Sequence, residues 1–384
     1  MQLRLKPTPA FTLSVLLSTA LLAINAGCAT NTSPPLALNI PAPTTAQVNA
    51  LLQDDASGNE SNQNPKAFPE ENILAIDPDM RYFVEEHVPA ALSPRARLSY
   101  LLDSMVRPSQ LGLSYDPGIT LNATETFYAH RGNCLSLSSL FIALAREANL
   151  NAYYNEVTIP PSWDMISDNS MVFYKHINVV VDFGDDGQEV VDLSVDNYEY
   201  NYPQQRLSEQ EAAAQYYNNR GAEFLNQDQN DEAMRYFRRA LYLNPNAGHI
   251  WGNLGTLLRR YKRNDDAEIA FRQALTLNPN DQVAISNLSR LYHDLGKIKQ
   301  AKQLEKASEV FRKQNPFWHY SKAKSDFEQG DFNSALKSIN QAIDLDRSEY
   351  RFYQFSALVL HRLGDVERAK KQAIKAARLK LKSN

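Results

Sequence analysis

WGNLGTLLRRYKRNDDAEIAFRQALTLNP, residues 251–279, is two helix-patterned stretches closed by Leu277-Asn278-Pro279, and its pattern returns along the chain at a fixed interval. Ala233, Ala267, Ala301, Ala335 and Ala369 stand 34 residues apart. Gly221, Gly255, Ser289, Ala323 and Ala357 form a second ladder of the same period, and Ala240, Ala274, Ser308, Ala342 and Ala376 a third. Small residues recurring in three registers mean helices that cross closely at fixed points, because a larger side chain there would hold the backbones apart.

The periodic region, residues 211–384, resembles tetratricopeptide repeats, with five helix pairs. Trp251, Leu254, Gly255, Ala267, Phe271, Ala274 and Pro279 follow the consensus; Glu305 replaces the usual aromatic residue in the third pair, and the last two pairs lack the closing proline. The resemblance implies an all-α solenoid over residues 206–384 whose groove takes a protein or peptide partner.

The other end of the chain reads as a secretory leader. Arg4 and Lys6 precede an apolar run from Ala10 to Ile24, too short to span a bilayer. Ile24-Asn25-Ala26-Gly27-Cys28 resembles a bacterial lipobox, with Asn25 where leucine is usual. The resemblance implies a signal peptide over residues 1–27, lipidation of Cys28, and a membrane-anchored, extracytoplasmic protein. Ala29 after the cysteine implies the outer membrane, facing the periplasm. Residues 30–68 are rich in Pro, Ser, Asn, Thr, Gln and Asp, a composition that does not offset the entropy of ordering. Residues 28–75 are therefore expected to be a flexible tether.

A formal net charge of −4 with 22% charged residues argues against a nucleic-acid partner, and no other apolar run approaches membrane length. No Cys/His cluster has zinc-ligand spacing and no glycine-rich loop resembles a phosphate cradle, so no cofactor is implied. Tyr198, Tyr200 and Tyr202 are expected to pack a domain junction. The basic stretch from Arg368 to Lys382 could touch anionic lipid or cell wall, but reads first as a solvated face on a terminal capping helix.

Between tether and repeats, residues 76–205 carry the chemistry. Ser93-Pro94 starts a helix, and Leu98, Leu101, Leu102 and Met105 follow at helical spacing. Val172–Phe183 and Glu189–Val195 are β-branched runs joined by Gly184-Asp185-Asp186-Gly187, a hairpin signal. Cys134 directly precedes a helix whose face is traced by Leu137, Leu140, Phe141, Leu144 and Ala148. A thiol there has the positive helix end beside its sulfur, and Gly132 allows close backbone approach. A catalytic thiol needs a base held in one tautomer by a third group. His176 opens the first hairpin strand and shares a face with Asn178 and Val180; the residue opposite it lies between Asp192 and Asp196. Asp192 is preferred because an unpartnered carboxylate in Val190-Val191-Asp192-Leu193 would be costly; Asp196 and Asp182 remain alternatives.

Thr124-Glu125-Thr126-Phe127, Arg131-Gly132-Asn133-Cys134, Ala145-Arg146-Glu147-Ala148, His176 opening a strand and Val191-Asp192 closing the next resemble the transglutaminase-like superfamily over residues 92–200. The resemblance implies an α+β, papain-like domain ahead of the solenoid. It makes Cys134 the nucleophile, His176 the general base and then acid, and Asp192 the orienting carboxylate. Asn178 departs from the aromatic residue often found two positions after the histidine. The Cys134 backbone N–H is the first oxyanion donor, with Tyr128 or Trp163 as candidates for the second. The expected activity is thiol-dependent amide hydrolysis. Acyl transfer, or a scaffold with an inactive front domain, are the alternatives.

Overall fold

The computed structural model describes residues 40–53, 69–159, 162–164, 170–172, 175–193 and 202–383. Cys28 and the leader, together with Asp196, Tyr198 and Tyr200, lie outside them. The front half comprises α1 (Thr45–Gln53), α2 (Pro78–His87), α3 (Pro94–Val106), β1 (Ser114–Tyr115), α4 (Ala123–Ala129), β2 (Arg131–Gly132), α5 (Cys134–Glu147) and β3 (Asn151–Thr158). These are followed by β4 (Ser162–Asp164), β5 (Ser170–Val172), β6 (Lys175–Asp182), β7 (Gln188–Val191) and β8 (Gln204–Arg206). The expected helix after Ser93 forms as α3, with the Ser93 hydroxyl accepting from the Ala96 amide and Pro94 in the first turn.

Four strands make one antiparallel sheet in the order β7-β6-β3-β8. Val157 pairs with His176, Asn155 with Asn178 and Tyr154 with Val179, while Val179 pairs in turn with Val191. Side chains alternate across a strand, so Ile177, Val179 and Val181 join the core with Tyr154 and α5, leaving His176, Asn178 and Asn155 together on the other face. A single turn at Gly184–Asp186 joins β6 to β7, as the glycine-bounded sequence predicts.

The repeats are five antiparallel helix pairs: α6 (Glu209–Asn226) with α7 (Asn230–Leu243), α8 (Gly248–Arg260) with α9 (Asn264–Leu277), and α10 (Gln282–Asp294) with α11 (Ile298–Gln314). α12 (Pro316–Glu328) with α13 (Phe332–Leu345), and α14 (Tyr350–Arg362) with α15 (Val366–Ser383), complete them. The small-residue ladders mark the crossings. A Cβ on Gly221 would stand 2.7 Å from the Phe237 ring, and one on Gly255 2.7 Å from the Phe271 ring. One apolar cluster runs from Leu51 through the front domain to Leu304, and a separate one holds Ala323, Ile339, Ala342 and Phe352. The core divides because His319, Lys322 and Asp326 occupy the fourth-repeat positions held by Trp251, Leu254 and Leu258 in the second and by Ile285, Leu288 and Tyr292 in the third. A cavity of about 680 Å³ lined by His319, Lys322 and Asp326 opens there.

The expectation of a flexible tether over residues 28–75 is corrected in two stretches. α1 packs on α9, with Leu51 buried and the Arg272 guanidinium donating to the carbonyls of Pro41 (2.7 Å) and Ala42 (3.2 Å). Glu71 is clasped by three tyrosines of the first repeat. Its carboxylate accepts from the hydroxyls of Tyr216 and Tyr236, and its amide donates to the Tyr217 hydroxyl at 2.7 Å. Sparse apolar residues are enough here because the surface that receives them is already built by the repeats.

Replacing Gly255 by valine forces two β-branched methyls against the fully buried Phe271 ring. The expected cost is about 1–3 kcal/mol of unfolding free energy, measured as a lowered urea midpoint.

Candidate active site

Cys134 is the first residue of α5, and the loop before it is shaped to put it there. Asn133 is the N-cap: its side-chain oxygen accepts from the Ser136 amide and hydroxyl, both at 3.0 Å, and its Nδ2 donates to the Thr120 hydroxyl at 2.8 Å. Gly132 is required by close approach, since a Cβ there would lie 2.5 Å from the Ser136 Cβ. The half-exposed thiol therefore sits at the positive end of a 14-residue helix. One turn further on, the Ser138 hydroxyl donates to the Ile177 carbonyl at 3.3 Å, tying this end of α5 to the start of β6.

His176 is brought to that junction. Its ring is buried, with 3% exposure, and its Nε2 lies 2.5 Å from Asp192 Oδ2. The Cys134 thiol is also a hydrogen-bond partner of the imidazole. Burial disfavours charge on His176, but the hydrogen bonds and opposite charges of Asp192 and Cys134 outweigh it, raising the imidazole to about 9. Both partners favour the charged form of the ring.

Asp192 lies one residue beyond β7. The register that pairs Val179 with Val191 brings it alongside Asn178, so it reaches His176 diagonally rather than from directly opposite. Asp182 is not the partner: its Oδ1 accepts from the Gly184 amide at 3.0 Å, at the far end of β6. A buried amide relay fixes the carboxylate from behind. Asn178 Nδ2 donates to Asp192 Oδ2 at 3.3 Å, Asn155 Nδ2 donates to Asn178 Oδ1 at 2.8 Å and to Gln204 Oε1 at 2.9 Å. The relay was not anticipated, although Asn155 and Asn178 are polar residues inside otherwise apolar strands, which is the signal that finds such pairs.

Cys134, His176 and Asp192 thus come together around one imidazole. Tyr128 does not supply the second oxyanion donor: its hydroxyl is committed to Asp77 and Asp79 at 2.8 and 2.9 Å, and these two carboxylates raise its pKa strongly. The Trp163 side chain lies outside the described residues.

Comparison with known proteins bears on the helical half. Residues 214–247, 248–281 and 320–382 each match a tetratricopeptide repeat family model. The C-terminal region is accordingly an all-helical tetratricopeptide-repeat solenoid, an architecture that commonly presents extended protein-binding surfaces. No curated protein matches the chain. Among solved structures, MamA 41-end from Desulfovibrio magneticus RS-1 is similar at 19% identity, covering 46% of this chain and 97% of its own, with a TM-score of 0.26. PilW, a type IV pilus biogenesis factor, is similar at 20% identity over 41% of this chain and 74% of its own, with a TM-score of 0.25. Pseudomonas aeruginosa PilF is similar at 15% identity over 44% and 78%, with a TM-score of 0.26.

The relay and the charged ring make a direct prediction. In NMR spectra the His176 imidazole should titrate near 9, and in Asp192→Asn it should fall toward the ordinary value of about 6.5. Alkylation of Cys134 by iodoacetamide at about pH 7.5 should then slow by roughly tenfold in the variant, because only about a tenth of the rings would still be imidazolium there.

Proposed function

We propose that the front domain is a transglutaminase-like, papain-like thiol hydrolase of amide bonds, and that the solenoid holds the protein or peptide it acts on. The observation that carries this reading is the Cys134–His176–Asp192 constellation. It joins a helix N-terminal sulfur to a buried imidazole, and the imidazole to a carboxylate fixed by its own relay.

The Cys134 thiolate attacks the amide carbonyl carbon, and the carbonyl π pair moves onto oxygen, which the Cys134 backbone N–H meets at the helix end. Collapse of the tetrahedral adduct breaks the C–N bond as the His176 imidazolium gives its proton to the departing amine. A thioester and a neutral imidazole remain. His176 then takes a proton from water, hydroxide adds to the thioester, and the sulfur leaves as thiolate, releasing a carboxylic acid and restoring the ion pair. Asp192 holds the ring in one orientation throughout and balances its charge. A second amine in place of water would make the same site an acyltransferase. Hydrolysis is favoured because transfer requires a water-excluding tunnel for the amine.

We place this chemistry outside the cytoplasm, with Cys28 lipidated and the folded part held on the periplasmic side of the outer membrane. That placement rests on the resemblance of residues 24–28 to a lipobox.

A second reading is supported by the matches over residues 214–382: a membrane-tethered scaffold whose repeats bind a partner and whose front domain is inert. The thiol separates the two. In the enzyme reading, folded protein reacts with iodoacetamide at about pH 6 at least tenfold faster than a free cysteine. Cys134→Ala abolishes release of amine from a peptide library while its circular dichroism is unchanged. Sluggish alkylation that becomes normal only on denaturation, or undiminished amine release from Cys134→Ala, contradicts the enzyme reading.

A further inference from the structure

α15 ends the solenoid with two unlike faces. Ala369 and Ala376 are buried, 6% exposed each, against the preceding helix. On the opposite side Ile374 is 54% exposed and Leu381 78%. At about 100° per residue these two lie nearly in line along the helix, and Lys370, Lys371 and Arg378 fall within about 60° of that line, with Glu367 on it and paired with Lys370 at 3.4 Å, so that three cations face one carboxylate. Seven cations against Glu367 give α15 a charge of +6, so the remainder of the chain carries −10 within the net −4.

The same helix position is treated differently at the other end of the solenoid. Ile374 corresponds by the 34-residue period to Arg238 of α7 and Arg272 of α9. There the chain covers the outer face itself: Arg238 reaches the Leu51 carbonyl at 3.5 Å and Arg272 the Pro41 carbonyl at 2.7 Å, both through the α1 segment. Residues 40–53, which do the covering, contain no charged side chain and so carry no negative charge to set against the cations of α15. The exposed face of α15 is cationic on balance and carries two exposed apolar side chains, a combination that suits an anionic surface with an apolar interior.

We propose that α15 lies against an anionic lipid bilayer. Ile374 and Leu381 enter the boundary between headgroups and acyl chains, while Lys370, Lys371 and Arg378 meet lipid phosphates. The negative remainder of the chain is repelled by the same surface, so the contact also orients the molecule with its solenoid terminus down. This inference does not rest on the thiol chemistry, nor on lipidation of Cys28.

Tryptophan at position 381 reads the contact without disturbing the core, because the native leucine is exposed. Leu381→Trp in the full chain is mixed with vesicles of phosphatidylglycerol and phosphatidylcholine in equal parts, and separately with phosphatidylcholine alone. The expected result is a blue-shifted emission quenched by doxyl-labelled lipid in the anionic vesicles only, reversed by about 0.5 M NaCl. Adding Lys371→Glu and Arg378→Glu should weaken that response to anionic lipid by at least about tenfold, with unchanged circular dichroism. No shift in the anionic vesicles, an equal shift in phosphatidylcholine, or an equal shift on soluble polyglutamate, which would indicate an acidic protein partner, overturns the proposal.

Discussion

A charged imidazole inside protein is costly unless both of its nitrogens are answered by opposite charge or hydrogen bonds. His176 has two such partners: Asp192 takes Nε2 at 2.5 Å, and the Cys134 thiol is the ring's second hydrogen-bond partner. Remove Asp192 and the ring falls back toward the ordinary histidine range, because burial is then opposed by Cys134 alone. Turn the thiol away and the ring would be left with one partner. The front domain can be understood as the arrangement of loops and strands that delivers these two partners to one ring.

Delivery of the sulfur depends on how α5 begins. Asn133 caps the helix, Gly132 lets the chain pass the Ser136 side chain, and Ser138 fastens the first turn to β6. Delivery of the carboxylate depends on the sheet, whose register sets Asp192 beside Asn178 and whose buried amides hold it there. The solenoid takes part in this support. β8, which pairs with β3, leads into α6, Arg146 at the end of α5 pairs with Glu209 at 2.8 Å, and Thr120, whose hydroxyl accepts from Asn133, donates its amide N–H to the Glu223 carboxylate at 2.8 Å. At the far end, the Arg351 guanidinium donates to the Tyr202 hydroxyl at 2.5 Å and lies over its ring, so the expectation of an aromatic domain junction is met at Tyr202.

What could be read in the sequence was what short-range pattern encodes. The 34-residue ladders announce helix crossings because each rung records a local steric demand, and Gly221 and Gly255 sit against phenylalanine rings as that demand requires. Cys134 and its helix were legible for the same reason: cap, glycine and apolar face lie within fifteen or so residues. His176 and Asp192 could be paired because a hairpin couples two strands by simple counting, although the diagonal reach could not be counted. Interactions between distant segments were not legible. Glu71 meets Tyr217 across 146 residues, and nothing in a Pro- and Asn-rich stretch marks one glutamate as an anchor. Asn178 was visible as a departure from an expected aromatic, but its use as a support for Asp192 appears only when Asn155 is brought beside it.

The proposed chemistry stands on a sulfur made reactive by the imidazole that hydrogen-bonds it. The rate of Cys134 alkylation by iodoacetamide in the folded chain, compared with the same rate in His176→Ala, measures this most directly. The expected result is a rate at least about tenfold lower when His176 is replaced, with unchanged circular dichroism. Equal rates in the two proteins would contradict it.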